Sequence, residues 1–132
     1  MFKQKIFITS FIVLVSVAIL NYAGIKYNLY WIYNWYDIVM HMLGGLWVSL
    51  FSMSIFIYFF RDVSNPDYNK NILKIVLFAL LFMTLSWEVF ELLGKITFLS
   101  DGKLYWFDTI KDIIDGFIGG IGGYYFYTKN SK

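Results

Sequence analysis

The chain has 132 residues, of which 59% are hydrophobic and 23% aromatic, and its mean hydropathy is +0.61. This composition is too apolar for a soluble domain of this size and predicts an integral membrane protein whose main partner is the lipid bilayer. The absence of cysteine excludes disulfides and thiolate metal sites, and the net charge of +2, with no basic face, gives no sign of nucleic-acid binding.

Four apolar stretches, taken in chain order, are long enough to cross the ~30 Å hydrocarbon layer of a bilayer. The predicted spans are about 6–25, 37–60, 72–93 and 107–127. Because open backbone is not tolerated in lipid, we predict an all-α fold, a four-transmembrane-helix bundle with up-down topology. The connections are short, so we expect residues 1–132 to form a single integral membrane domain.

The first span has a competing interpretation as a signal peptide. Lys3 and Lys5 precede it, as basic residues precede the apolar core of such a peptide. No small-x-small cleavage site and no soluble mature domain follow, which favours a first transmembrane helix.

The stretch 27–36, between the first two spans, contains four Tyr and two Trp residues. This composition is typical of the aromatic belt at a membrane–water interface, although an aromatic loop could also grip a ligand. The next connection, 61–71, is polar and carries Asn65-Pro66 as a turn signal.

Basic residues predict the orientation of the bundle. Seven Lys or Arg residues flank the side that holds both termini and the 61–71 connection, and four flank the other side. The two groups are Lys3, Lys5, Arg61, Lys70, Lys74, Lys129 and Lys132 against Lys26, Lys95, Lys103 and Lys111. The positive-inside rule therefore places both termini in the cytoplasm of a multi-pass protein, which we expect in the plasma membrane.

Most of the nine acidic residues fall at the outer end of the predicted bundle, together with the one histidine. The predicted polar site consists of Asp37, His41, Glu88, Glu91, Asp108, Asp112 and Asp115. A charged group near the membrane centre costs roughly 2.5–3.5 kcal/mol. Such a cluster therefore requires a bound cation, shared protons, or partners such as His41, Lys95 and Lys111.

Some of these residues also have a purely structural explanation. Asp37 and Asp108 are candidates for helix capping, and Lys111 is expected to extend its amine to the headgroups. Capping does not reach the deeper Asp112 or Glu88. Glycines inside the second and fourth spans are expected to let helices approach closely rather than to bind phosphate. They are Gly44, Gly45, Gly116, Gly119, Gly120 and Gly123.

Carboxylates with a single imidazole predict a site for a divalent cation. Such ligands suit Mg, Mn, Ca or, less well, Zn. The expected ligands are His41, Glu88, Asp112 and Asp115. An ion held by them could activate water or polarise a phosphoryl oxygen.

Three short motifs, in chain order, resemble those of the VanZ/YjdF-like small integral membrane protein family. They are Tyr36-Asp37-x-x-x-His41, Trp87-Glu88-x-x-Glu91 and Asp108-Thr109-x-x-Asp112-x-x-x-Gly116-x-x-x-Gly120. Glu91 and Asp112 are nearer to the YjdF side, since VanZ-type members more often have Gln and Asn there. The resemblance covers the second to fourth spans and implies a role at the cell envelope, where VanZ-like proteins are linked to resistance against glycopeptide antibiotics. It implies no settled biochemical activity.

The sequence leaves open whether the protein is an enzyme, and three hypotheses remain. The leading one is a divalent-cation-dependent site that acts on or binds a lipid-linked or cell-envelope substrate. The second is a proton- or cation-coupled small transporter, which four spans would support only as a homo-oligomer. The third is a non-catalytic envelope protein, with VanZ-like antibiotic tolerance, whose polar cluster fixes helix packing.

Overall fold

The computed structural model describes residues 2–60, 67–94 and 102–130. Within them the chain is all helical, with four long helices and one short one. They are α1 (Phe2–Lys26), α2 (Leu29–Ile32), α3 (Asn34–Phe59), α4 (Tyr68–Gly94) and α5 (Gly102–Asn130). The predicted Asn65-Pro66 turn, and Lys95 as a partner for the acids, lie outside the described residues.

Three of the long helices are long and apolar enough to cross a membrane. They are Lys5–Lys26 in α1, Asn34–Phe59 in α3 and Tyr68–Leu93 in α4. The fourth helix, α5, does not meet the same criterion, since its first half carries the acids Asp108, Asp112 and Asp115. The count of four spans and the orientation of the termini therefore stay predictions.

The helix α3 is central, because α1, α4 and α5 all pack against it. Contacts between α4 and α5 run antiparallel: Thr84 lies opposite Gly116, and the Tyr124 hydroxyl donates to the carbonyl of Asn69 at 3.2 Å. By contrast, α1 lies on the flank of α3 and exposes most of its apolar side chains. This exposure is what a lipid-facing helix requires.

One half of the bundle interior is apolar and closely packed. Met53 of α3 and Ile72, Val76 and Leu80 of α4 are 0% exposed. They form one hydrophobic cluster with neighbours that include Tyr127 of α5. Because lipid tails are as apolar as these side chains, close packing rather than escape from water holds this half together.

A short helix interrupts the aromatic stretch 27–36. The chain leaves α1 through Asn28, which has a left-handed backbone (φ 56°) that asparagine tolerates better than most residues, and α2 follows at once. The Tyr30 hydroxyl donates to Asn21 of α1 at 2.7 Å, and the Tyr36 hydroxyl donates to the carbonyl of Leu20 at 2.6 Å. These bonds fix α2 and the start of α3 against the end of α1.

The observed helix bounds explain one wrong interpretation. Asp108 was a candidate for capping the fourth helix as well as for the polar site, but α5 begins at Gly102, so Asp108 lies beyond its first turn. Asp37 does lie in the first turn of α3, where a carboxylate suits the helix dipole.

Candidate acidic–histidine site

Two carboxylates, one imidazole and one ammonium form a closed ring between α3 and α5. Asp37 and His41 lie one turn apart on α3, and their Oδ1 and Nε2 atoms are 3.3 Å apart. The same His41 nitrogen lies 3.6 Å from Oδ2 of Asp112 on α5. On the other side, Lys111 Nζ lies 3.0 Å from Asp37 Oδ2 and 3.0 Å from Asp112 Oδ1. Each carboxylate is thus shared between His41 and Lys111.

The position of the imidazole limits its chemical state. His41 Nε2 faces oxygens of both Asp37 and Asp112, and a bare nitrogen lone pair there would be repelled by both. This nitrogen therefore either carries a proton, which it shares between the two carboxylates, or binds a cation. Since the His41 side chain is 13% exposed, water contributes little to this balance.

A second group of acids meets Asp112 from α4. Ligand oxygens of Glu88, Glu91 and Asp112 all lie within 4.8 Å of one another. Glu88 is 7% exposed and Asp112 is 3% exposed. Among the residues that the structure describes, no ion pair reaches Glu88 or Glu91. Three carboxylates therefore converge here. Asp112 is paired with Lys111 on its other side, whereas the two glutamates form no ion pair within the described residues.

Aromatic and hydroxyl groups surround these two glutamates. The Trp87 indole donates to Glu91 Oε1 at 2.7 Å. Thr109 of α5, which is 9% exposed, lies beside Glu88, and its hydroxyl makes no hydrogen bond of good geometry within the described part of the chain. Tyr30 of α2 packs edge-on against Tyr36, and its burial, together with the charges of Tyr36, Asp37 and Glu91, raises the pKa of Tyr30.

The two remaining predicted residues lie at the edges of the site. Asp108 is 54% exposed and accepts a bond from Lys111 Nζ at 3.2 Å, so it anchors the ammonium from the open side. Asp115 lies nearly one turn deeper, is 9% exposed, and its Oδ2 has no hydrogen-bond partner within the described residues. It was expected as a metal ligand, but neither group of converging ligand atoms includes it.

Glycines explain how α5 comes close enough to α3 for this ring to form. A Cβ atom built on Gly45 would overlap the carbonyl oxygen of Gly116, and one built on Gly119 would overlap that of Met42. Such a backbone approach is open to glycine alone. Gly44 differs, since nothing lies within 4 Å of a Cβ built there.

The other predicted packing glycines approach side chains rather than backbone. A Cβ on Gly120 would meet the side chain of Leu80, and one on Gly123 would lie 2.9 Å from Leu46 Cδ1. A Cβ on Gly116 would lie 2.9 Å from Thr84 Cγ2 of α4. These glycines therefore set the spacing of α5 from both α3 and α4.

Two expectations were open for Lys111: a partner for the acids, or an amine that extends to the headgroups. The first is the one found, since Lys111 forms ion pairs with three carboxylates and its side chain is 38% exposed. Part of this pairing is indicated by the sequence, because Lys111 lies three residues after Asp108 and directly before Asp112. The partner on α3, Asp37, could not be found from spacing, because it depends on how the two helices are rotated.

Two sets of residues have the geometry to hold a metal ion, and they share Asp112. The first is Asp37, His41 and Asp112, and the second is Glu88, Glu91 and Asp112. In each set the ligand atoms lie within 4.8 Å of one another, so one ion at the 2.0–2.6 Å distances of Mg or Ca could contact all three after small side-chain movements. The second set is the better candidate, because Lys111 already neutralises the first.

The chain belongs to a family of membrane proteins. The family described as "Predicted membrane protein (DUF2238)" has a model that matches residues 2–130, nearly the whole chain. No curated protein and no solved structure matches this chain.

Proposed function

We propose that this membrane protein holds a divalent cation at the outer end of a four-span bundle and uses it to act on, or bind, a lipid-linked or cell-envelope substrate. In this proposal α5 is the fourth span, both termini are cytoplasmic, and the plasma membrane is the location. The resemblance to VanZ/YjdF-like proteins supports the envelope part of the proposal.

The observation that carries the proposal is the convergence of Glu88 and Glu91 on Asp112, with no ion pair to either glutamate among the described residues. Lys111 and a protonated His41 would balance the ring carboxylates directly, whereas His41 acts on the two glutamates only at longer range and no ion pair among the described residues reaches them. Charges at this depth are costly unless they are paired or bind a cation. A divalent ion would satisfy all three carboxylates at once.

The chemistry of such an ion follows from its surroundings. Its three ligands are all carboxylates, and oxygen ligands of this kind favour Mg, Mn or Ca. The ion could polarise a phosphoryl oxygen of a lipid-linked headgroup or activate water. His41 is placed to take up or donate a proton beside it, since its Nε2 lies 3.6 Å from Asp112 Oδ2.

Metal analysis of the purified protein tests this proposal. After incubation with Mn²⁺ and removal of free metal, we expect about one Mn²⁺ per chain in the wild type, because three carboxylates form a site of high charge. Asp112→Asn and Glu88→Gln each remove one ligand charge and should lower the bound metal at least tenfold.

The matched control is Asp67→Asn, which makes the same chemical change at a residue that pairs with Lys70 on α4, far from the site. It should retain wild-type metal content. Metal content near zero in the wild type, or equal metal content in all four proteins, would overturn the proposal.

A second function, proton- or cation-coupled transport, is favoured by one observation. Asp115 lies buried below the ring with an unpartnered carboxylate oxygen among the described residues, as a relay group would. Four spans are few for a transporter, so this function also requires an oligomer. Proteoliposome flux that Asp115→Asn leaves unchanged would exclude it.

A further inference from the structure

We infer that the site is built for two cations and that the ammonium of Lys111 is the resident cation of the second position. The inference rests on the proposed function, which supplies a divalent ion at Glu88, Glu91 and Asp112. The second position is the triad of Asp37, His41 and Asp112, whose ligand atoms meet the same geometric condition.

The two triads lie on either side of Asp112, which both of them include. This carboxylate is 3% exposed and belongs to both sets, so it bridges them. A carboxylate between two ligand sets is the arrangement found where two metal ions lie about 3.5–4 Å apart. The α4 side contributes two further carboxylates, and the α3 side contributes a carboxylate and an imidazole.

A positive group, the ammonium of Lys111, already occupies the α3 side. Lys111 Nζ lies 3.0 Å from Asp37, 3.0 Å from Asp112 and 3.2 Å from Asp108. Lys111 Nζ donates hydrogen bonds to Asp37 and Asp108, and its contact with Asp112 Oδ1 is an ion pair that leaves this buried oxygen without a hydrogen bond among the described residues. The ammonium therefore places a positive charge beside the same two aspartates that a metal ion in this triad would require.

The ammonium of Lys111 has room to move out of this position. The Lys111 side chain is 38% exposed, and Asp108, which holds it from outside, is 54% exposed. Its four-carbon stem can withdraw toward solvent or headgroups without disturbing the helix. The triad that it would leave behind contains two carboxylates and His41 Nε2, three protein ligands of the types that bind Mn²⁺ or Zn²⁺ together with water.

The number of Mn²⁺ ions bound per chain, measured by equilibrium dialysis in detergent, tests the inference. Wild type is expected to bind one ion. Lys111→Met removes the ammonium but keeps the length of the side chain, and it is expected to bind two. Lys111→Arg keeps the charge and is expected to bind one.

Lys26→Met is the matched control, because Lys26 ends α1 near the same end of the bundle and lies over the Tyr22 and Tyr27 rings, away from the site. It is expected to bind one ion. One ion or fewer in Lys111→Met, with one in the wild type, overturns the inference while leaving the proposed function intact. No ion in either protein overturns the proposed function itself.

Asp108→Asn provides a second test if Lys111→Met does not fold. Asp108 belongs to neither triad and is exposed, so its substitution loosens Lys111 without removing a ligand. A second Mn²⁺ ion, bound at least tenfold more weakly than the first, is expected. Binding of one ion up to millimolar Mn²⁺ contradicts the inference.

Discussion

The two halves of this bundle are buried to a similar degree but are held together by different means. In the apolar half, Met53, Ile72 and Leu80 are 0% exposed and need only one another. In the polar half, Glu88 and Asp112 are 7% and 3% exposed, and the charge of each carboxyl group, when it is ionised, must be balanced. The first half is therefore complete as it stands, whereas the second half depends on a proton, an internal base or a bound cation. Substitutions in the two halves should therefore differ in their effects on stability and on bound metal.

The largest effect is expected where the two halves meet, at the glycine contact between α3 and α5. Gly45→Ala places a methyl group on the Gly116 carbonyl oxygen, so the two backbones must move apart. We expect a loss of about 3 kcal/mol of stability or more, with loss of the site as a consequence. Reversible unfolding in detergent measures the loss.

Gly44→Ala is the control for that substitution, since open space surrounds its position. It should change stability by no more than about 1 kcal/mol, and the higher helix propensity of alanine favours a gain. Equal destabilisation by both variants would show that the close approach of α3 to α5 is wrong.

A smaller but purely structural effect is expected in the apolar half. Met53→Ala removes a fully buried side chain from the hydrophobic cluster and leaves a cavity. The expected loss of stability is about 2–3 kcal/mol, near the lower end for such truncations, because packing alone is lost when the unfolded reference is also in an apolar medium. Metal content should stay that of the wild type. A fall in bound Mn²⁺ with the fold intact would contradict the separation of the two halves.

Removing a charge from the polar half should affect metal binding rather than stability. Glu91→Gln keeps an acceptor for the Trp87 indole but removes one of the two glutamate charges. In the metal-free protein we expect a change in stability within about 1 kcal/mol, because repulsion between the acids is relieved as one hydrogen bond weakens. Unfolding in excess EDTA measures this. A loss as large as that of Met53→Ala would mean that the charge itself holds the fold.

The smallest effect is expected at the junction of α1 with α3. Tyr36→Phe removes the 2.6 Å hydrogen bond to the Leu20 carbonyl but leaves the ring in place. The expected loss is about 1 kcal/mol, the typical net contribution of one hydrogen bond. Tyr58→Phe, at an exposed ring on the same helix, should have no measurable effect. Equal losses of stability in the two variants would show that this hydrogen bond does not hold α1 against α3.

The sequence predicts the long helices well because length and hydropathy determine them. The spans 37–60 and 72–93 differ from α3 and α4 by only a few residues. The start of α5 was placed five residues too late, because Ser100, Asp101 and Gly102 have the composition of a turn. The short helix α2 was missed, since four residues carry no helical periodicity.

The depth of the acidic residues was also readable from sequence, but their partners were not. Asp37, Glu88 and Asp112 were expected at one depth from the alternation of spans, and their side chains do lie at one end of the bundle. Which of them meet depends on how each helix is rotated about its axis, and the glycine contacts between α3 and α5 decide that rotation. Lys111 illustrates the limit, because its position in the sequence left open whether the amine extends to the headgroups or pairs with the acids, whereas the rotation of α5 turns it toward Asp37.

The stabilisation of the protein by Mn²⁺, compared across the wild type, Met53→Ala and Asp112→Asn, tests the central claim most directly. A ligand that binds only the folded state stabilises it by about 2.7 kcal/mol at a concentration of 100 Kd. We predict this increment in the wild type, the same increment in the less stable Met53→Ala, and about 1.4 kcal/mol or less in Asp112→Asn, in which binding at least tenfold weaker leaves the ion at 10 Kd or below. An increment of equal size in all three proteins, or none in the wild type, would contradict the claim that the polar half is completed by a divalent cation.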